Sequence, residues 1–209
     1  KHRPQIRYRQ RELQRPDSAA LLSELVHSTR IKYEMGDYAD FTQRLFRFQE
    51  GCFRHLAEQM GLRYDRGDER HAHMDWVRDV AGLTDFLADY TAPTGRAYGR
   101  IDLEGRPLNR VSLGAIVDFF VQRGDPWVEL GDPVEKLHRL SAVAELRNKG
   151  VAGHGFQGIG REDLEDAFGE DPDAIVPLLE DIYAAIFHTQ LGRTPYQAVN
   201  VLIRDLLSR

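Results

Sequence analysis

One arginine and one histidine in the second half of the chain are residue types suited to phosphate chemistry. Arg147 is followed by six residues and then by His154, and Asn148 comes directly after the arginine. A guanidinium is permanently charged and offers a planar fork of N–H donors, whereas an imidazole titrates near neutral pH. The pair is a candidate for binding and proton transfer at a phosphate ester. The alternative is an arginine at a helix end and a loop histidine with no joint role.

The spacing alone carries little information in so arginine-rich a chain. With 24 arginines and eight histidines in 209 residues, chance gives about three matches to Arg, four to six residues and His. Three occur, and Arg66 supplies the two besides Arg147. Arg66 lies in a polar stretch, whereas Arg147 lies seven residues after Leu140 and so on nearly the same face of a predicted helix. Its context therefore singles out the Arg147 pair.

Two other motifs are candidates for ligand binding. His71 and His73, with acidic neighbours, are possible ligands of a divalent ion, and a solvated polar turn is the alternative. The glycines between 153 and 158 spell the G-x-G-x-x-G of dinucleotide-binding loops, but that motif needs a preceding strand and here a helix precedes it. We therefore expect no metal and no cofactor. Three histidines occur singly on predicted helices and are expected at the surface or at an interface: His27, His55 and His138.

Charge and apolar content exclude several classes of protein. The net charge of −5 excludes a uniformly basic nucleic-acid coat, although the first 15 residues hold six basic residues and one acidic residue. Apolar runs such as 184–187 are far shorter than the roughly 18 residues that span a bilayer. The single Cys52 excludes a disulfide framework. We expect a cytoplasmic protein with no membrane partner.

Apolar residues recur with helical spacing along most of the chain, which predicts an all-α bundle of about six or seven helices. The strongest pattern runs over 38–60, and Gly61 is expected to end that helix. Asp132 and Pro133 predict a helix start, with the helix continuing to about 147–149. A short β-hairpin is predicted near 98–111. Further helices are predicted from a cap at Asp17 or Ser18, at 74–90, from Ser112 to Gly124, at 161–168, at 173–191 and from Thr194.

The Arg-Asn pair at the close of an amphipathic helix, with His-Gly after it, resembles the motif of HEPN ribonucleases. In particular it resembles the HEPN domain of the CRISPR type III accessory ribonucleases, the Csm/Csx group of CARF-HEPN proteins. The segment from Arg44 to Glu50 resembles the same group. The likeness implies a HEPN domain at 17–209. Residues 1–16 are then a basic linker or lead-in helix, the remnant of a connection to a CARF sensor domain that we expect this chain to lack.

The resemblance implies a metal-independent endoribonuclease that cleaves single-stranded RNA through 2′-hydroxyl attack, giving a 2′,3′-cyclic phosphate. Arg147 would hold the phosphate oxygens, His154 would be general acid or base, and Asn148 would orient either group. Members of the family pair their HEPN domains in a homodimer and are activated by cyclic oligoadenylate bound to CARF, in antiviral defence. Some also degrade that activator. Further RNA-binding residues are expected among Lys149, Arg139, Arg44 and Arg47.

Two other functions stay open on the sequence. One is a HEPN toxin of a toxin-antitoxin pair, with the same chemistry under the control of a protein partner. The other is a non-catalytic helical scaffold for dimerisation or RNA binding, which the basic lead-in and Arg44 and Arg47 would serve equally well. The presence of Arg, Asn and His together argues modestly against the scaffold, since a scaffold has no need of all three.

Overall fold

The computed structural model describes residues 18–62, 80–103, 108–124, 126–149 and 158–192. These residues form eight α-helices and one two-stranded antiparallel sheet, which confirms the predicted all-α bundle with a short hairpin. None of the helices in these ranges is long and apolar enough to cross a membrane. The predicted lead-in at 1–16 and the predicted terminal helix from Thr194 lie outside the described residues.

Helix α2, Tyr38–Gln59, packs against three other α-helices and against a 3-10 turn at Leu146–Asn148. Asp37 caps it by accepting a hydrogen bond from the Asp40 N–H, and Gly61, at a φ of +101°, follows its end as predicted. Its apolar residues recur every three or four positions, so they form a continuous stripe along one face of the helix. All six predicted members of the stripe are buried: Phe41, Leu45, Phe48, Cys52, Leu56 and Met60.

Helix α1, Ser18–Glu34, packs along α2 and begins where the sequence predicted. Leu22 and Val26 are buried in the contact, whereas Leu21 is half exposed and does not belong to the buried face. The apolar spacing of α1 predicts four core residues, Leu21, Leu22, Leu25 and Val26, and the buried face is narrower because Leu21 does not belong to it.

The predicted helix over 74–90 is wrong within its described part. Helix α3 covers only Leu83–Ala88, because Gly82 at a φ of +83° cannot continue a right-handed helix. Strand β1, Tyr90–Thr91, follows and pairs antiparallel with β2, Ala97–Gly99, with Tyr90 opposite Gly99. The hairpin thus lies earlier than the predicted 98–111, since the turn-forming residues between the strands are Pro93 to Gly95.

Helix α4, Arg110–Gln122, begins two residues before the predicted Ser112, because the Asn109 side chain accepts hydrogen bonds from the N–H groups of Val111 and Ser112 at 2.9 and 3.0 Å. Helix α5, Gly131–Arg139, follows a 3-10 turn at Val128–Leu130. The prediction that Asp132 caps α5 is therefore wrong.

The predicted helix from α5 to residues 147–149 is interrupted at Leu140. Helix α6 covers Ser141–Glu145, and a 3-10 turn at Leu146–Asn148 follows it. At the interruption the Leu137 carbonyl accepts hydrogen bonds from the Gln49 side chain at 2.6 Å and from the Leu140 N–H at 3.2 Å. A side chain that enters the ladder in this way changes the helix direction.

Two helices complete the described bundle. Helix α7, Arg161–Phe168, has its predicted bounds. Helix α8, Ile175–Phe187, follows a 3-10 turn at Pro172–Ala174 and packs against α1 and α5. It ends four residues before the predicted 191, since His188 adopts a left-handed φ of 51° that stops the helix.

Two of the single histidines, expected at the surface or at an interface, are not surface residues of the bundle. His27 is 3% exposed and His138 is 6% exposed. His55 is half-buried, with its ring 4.6 Å from that of Phe187. Helical periodicity misses such residues because a histidine can fill a core position as readily as a surface one.

Burial of His27 makes the stability of the fold depend on pH. Burial, followed by repulsion from Arg30, lowers the pKa of His27 below its ordinary value. The unfolded chain therefore takes up a proton at a higher pH than the folded chain. The contribution of His27 to the free energy of unfolding should be complete above about pH 6.5 and should decrease as the pH falls below that value. Denaturant titrations at about pH 7.5 and about pH 5 should show a smaller loss in His27→Leu than in the wild type. Equal losses would contradict this assignment.

Candidate active site

The exposed side of α2 faces the 3-10 turn at Leu146–Asn148. Leu146 is buried and anchors this turn in the core, so the next residue projects towards α2. Arg147 lies with its guanidinium carbon 3.1 Å from the centroid of the Phe46 ring. Both side chains are half-buried. The ring therefore sets the position of the guanidinium by cation–π contact.

Two further arginines approach the same ring. The guanidinium carbon of Arg110 lies 5.5 Å from the Phe46 centroid, and that of Arg47 lies 5.9 Å from it. We call Phe46, Arg47, Arg110 and Arg147 the Phe46 cluster. Three side chains that are always cationic thus surround one aromatic ring.

The three arginines differ in their ion pairs. Arg47, which is exposed, pairs with Glu50 at 2.8 Å. Arg110 is 5% exposed and donates to Glu145 at 2.7 Å and to the Gln49 side-chain oxygen at 2.9 Å. Arg147 has no ion pair with any residue that the structure describes, and its Nε is buried without a hydrogen-bond partner. Arg147 is thus the cation of the cluster that is left for an external anion.

The electrostatics of the cluster favour such an anion. Burial lowers the pKa of Arg147, and repulsion from Arg47 and Arg110 lowers it further, whereas Glu50 raises it. These effects mean that the protein stabilises the Arg147 charge less than water does. A phosphate bound in the fork of the guanidinium would relieve the deficit with charge-assisted hydrogen bonds.

The structure brings some of the sequence-predicted site residues together and leaves others apart. Asn148 and Lys149 are exposed directly after Arg147. Arg44 pairs with Asp40 at 3.2 Å, one turn before the cluster on α2. Arg139 pairs with Glu170 at 2.8 Å and lies over Phe168, so its guanidinium is engaged by another part of the bundle. His154, the third catalytic candidate, lies outside the described residues.

A buried polar group lies near the cluster, and sequence reasoning missed it. Asp118 on α4 is 2% exposed and accepts hydrogen bonds from the Tyr90 hydroxyl and from His138 Nε2, the latter at 2.9 Å. Burial, together with the Asp118 carboxylate, raises the pKa of Tyr90, which keeps its hydroxyl protonated as the donor. A signal existed in the sequence, since Asp118 is a lone acid within an apolar helix. Such a residue requires buried partners.

A small cavity next to this polar group reaches Arg110 of the cluster. Arg110 and His138 both line it, together with aromatic and small side chains. The groups that line it are already engaged, because Arg110 is paired with Glu145 and His138 is hydrogen-bonded to Asp118. The Phe46 cluster is therefore a better candidate for an anion site than the cavity.

The described residues also bear on the metal and cofactor candidates. No three His, Cys, Asp or Glu side chains among them are grouped so as to hold a metal ion. His71, His73 and the glycines from 153 to 157 lie outside the described ranges. Comparison with known proteins yields no matching family model, no matching curated protein and no matching solved structure.

Proposed function

We propose that this chain is a metal-independent endoribonuclease of the HEPN type that cleaves single-stranded RNA. The observation that carries the proposal is the Arg147 guanidinium, which has no ion pair among the described residues and is held on Phe46 beside two other arginines. Partial burial of a cation beside other cations costs stability, and a site that retains such a cation is suited to a ligand of opposite charge. The likeness of the Arg147–His154 segment to HEPN ribonucleases supports an RNA phosphodiester as that ligand.

The reaction needs no external nucleophile, because the ribose supplies one. The 2′-oxygen attacks the adjacent phosphorus and loses its proton, the bond from phosphorus to the 5′-oxygen breaks, and that oxygen gains a proton. The products are a 2′,3′-cyclic phosphate and a 5′-hydroxyl. Arg147 binds the non-bridging oxygens and compensates the charge that builds up on them. His154 transfers the protons as general base or general acid, and Asn148 orients His154 or the phosphate.

The wider biology of the proposal follows the family resemblance. Two chains would pair through their HEPN domains so that both Arg–His sets line one cleft. Activation by cyclic oligoadenylate would come through a CARF domain, and the enzyme would act in the cytoplasm in type III CRISPR defence. Lys149, exposed beside Arg147, is the residue best situated to extend the contact along the RNA backbone.

The test is cleavage of a labelled single-stranded RNA in excess EDTA, at micromolar protein. We expect products with cyclic-phosphate ends and no cleavage where the attacking ribose is replaced by deoxyribose. In His154→Ala the cleavage rate should fall by about 10²-fold or more. The matched control is His188→Asn, since His188 is exposed and asparagine tolerates its left-handed backbone.

Two outcomes would overturn the proposal. Cleavage that stops in EDTA and returns with a divalent ion would direct attention to His71 and His73. RNA that binds with a strong salt dependence but is never cut, by the chain alone or joined to a CARF domain, would favour the RNA-binding scaffold.

A further inference from the structure

Two carboxylates border the Phe46 cluster, and both are engaged by an arginine other than Arg147. Glu50 Oε2 lies 2.8 Å from Arg47 Nη1. Glu145 accepts from Arg110 Nη2 at 2.7 Å through one oxygen, and from Arg96 of the hairpin through the other. The pairing is selective, because Arg147 lies against the same ring as Arg47 and Arg110 yet takes part in none of these pairs.

A free carboxylate at this place would compete with a phosphate. Glu50 is near enough to attract the Arg147 guanidinium, since it raises the pKa of Arg147. Its side chain is 17% exposed, so an ion pair formed there would be poorly screened by water. An RNA phosphate would then have to displace the carboxylate before it could bind.

We propose that Arg47 and Arg110 are positioning residues that hold Glu50 and Glu145 away from the Arg147 guanidinium and so keep it open to a phosphodiester. This inference rests on the proposed function, in which the phosphodiester belongs to single-stranded RNA. It assigns Arg47 a role different from direct contact with RNA, which the sequence alone suggested.

The two pairs hold their carboxylates by different means. Arg47 and Glu50 are three residues apart on α2, where side chains at that spacing are neighbours. Arg110 is buried and is fixed by Gln49 as well as by Glu145. Gln49 is itself held by the Leu137 carbonyl and by Ser141 Oγ at 2.6 and 2.8 Å. The first pair is thus open to substitution, whereas the second is part of the core.

The test is a double-mutant cycle on Arg47 and Glu50, measured as kcat/KM for cleavage of single-stranded RNA. In the wild type Glu50 is already occupied, so Glu50→Gln should change cleavage less than about threefold. Arg47→Ala should lower cleavage by about tenfold or more, and adding Glu50→Gln to it should restore most of the loss. If Arg47 instead acted by contacting RNA directly, Glu50→Gln would have the same effect on cleavage in the wild type and in Arg47→Ala. Equal effects would overturn the proposal.

A second readout does not depend on ribonuclease activity. Phenylglyoxal modifies arginine side chains, and the modification of Arg147 can be followed by mass spectrometry of the peptide that contains it. We expect slower modification of Arg147 in Arg47→Ala and recovery in the double variant, because an ion pair with Glu50 protects the guanidinium. Modification that Arg47→Ala leaves unchanged would overturn the proposal, even if the chain proves to be a ribonuclease. Recovery without any cleavage would support it while the proposed function fails.

The pair of Arg110 with Glu145 gives an independent test. Arg110→Gln frees one oxygen of Glu145, and Arg110→Gln with Glu145→Gln removes the competing charge. We expect phenylglyoxal to modify Arg147 faster in the double variant than in the single variant. Thermal melting identifies an Arg110 variant that fails to fold, and the exposed pair on α2 then decides the question alone.

Discussion

Replacement of Arg147 by alanine is expected to lower RNA cleavage by about 10²- to 10³-fold without lowering the melting temperature. The loss of rate follows because the guanidinium is the group proposed to compensate charge on the phosphate. The melting temperature should hold, since the loss of the cation–π contact with Phe46 is offset by relief of the repulsion from Arg47 and Arg110, and Arg147 has no ion pair among the described residues. Rates under single-turnover conditions and a thermal melt of the same sample would measure both effects.

Two further variants sharpen the Arg147 experiment. Arg147→Lys keeps the charge but loses the planar fork, so its rate should lie between those of the wild type and of Arg147→Ala. Arg123→Ala is the matched control, because Arg123 also lies over a phenylalanine ring, 5.2 Å from the centroid of Phe119, and is remote from the cluster in its contacts. A fall in melting temperature in Arg147→Ala that matches its fall in rate would mean that the residue is structural.

Replacement of Asp118 by alanine is expected to give the largest loss of stability, about 3 to 5 kcal/mol in the free energy of unfolding. The substitution leaves the Tyr90 hydroxyl and His138 Nε2 buried without their acceptor. Tyr90→Phe should cost less, about 1 to 3 kcal/mol, because it leaves one carboxylate oxygen unsatisfied. Chemical denaturation at neutral pH measures both, provided that the slope of the transition is unchanged.

The comparison for Asp118 is an exposed acid on another helix. Asp181 lies on the solvent side of α8, and Asp181→Ala should change the free energy of unfolding by no more than about 0.5 kcal/mol. Asp118→Asn should fall between the two alanine variants, since it keeps one acceptor oxygen. An Asp118→Ala protein as stable as Asp181→Ala would show that the buried hydrogen bonds contribute nothing to folding.

The parts of the fold that were predictable from sequence are those set by one local pattern. The apolar stripe of α2 follows from a regular spacing over more than five turns, so it could be predicted without knowing which helices pack against it. The break after α5 could not be read in this way, because its cause is Gln49, which is 88 residues from Leu137 in the chain. The cap of α5 was misassigned since Asp132 and Pro133 fit the first turn as well as the cap position.

In the candidate site, too, some residues could be predicted from the sequence and others needed the fold. Arg147, and the segment that holds Arg47, were identified through their likeness to a family. Their meeting on Phe46 needed the fold, since 100 residues separate the two arginines in the sequence. Arg110 carried no signal of its own, because a basic residue at the start of a helix is usually solvated.

The hydrogen bonds of Gln49 also bear on the order in which the chain folds. They join α2 to residues 61, 88 and 92 positions further along the chain, whereas the α1–α2 pair is joined by a connection of three residues. Closing the longer loops costs more entropy, so the helical hairpin should form early and the Gln49 contacts late. The arginines gather around Phe46 only when this last step is complete. A nascent or partly folded chain would therefore have helices but no assembled Phe46 cluster, and the proposed activity would be confined to completely folded molecules.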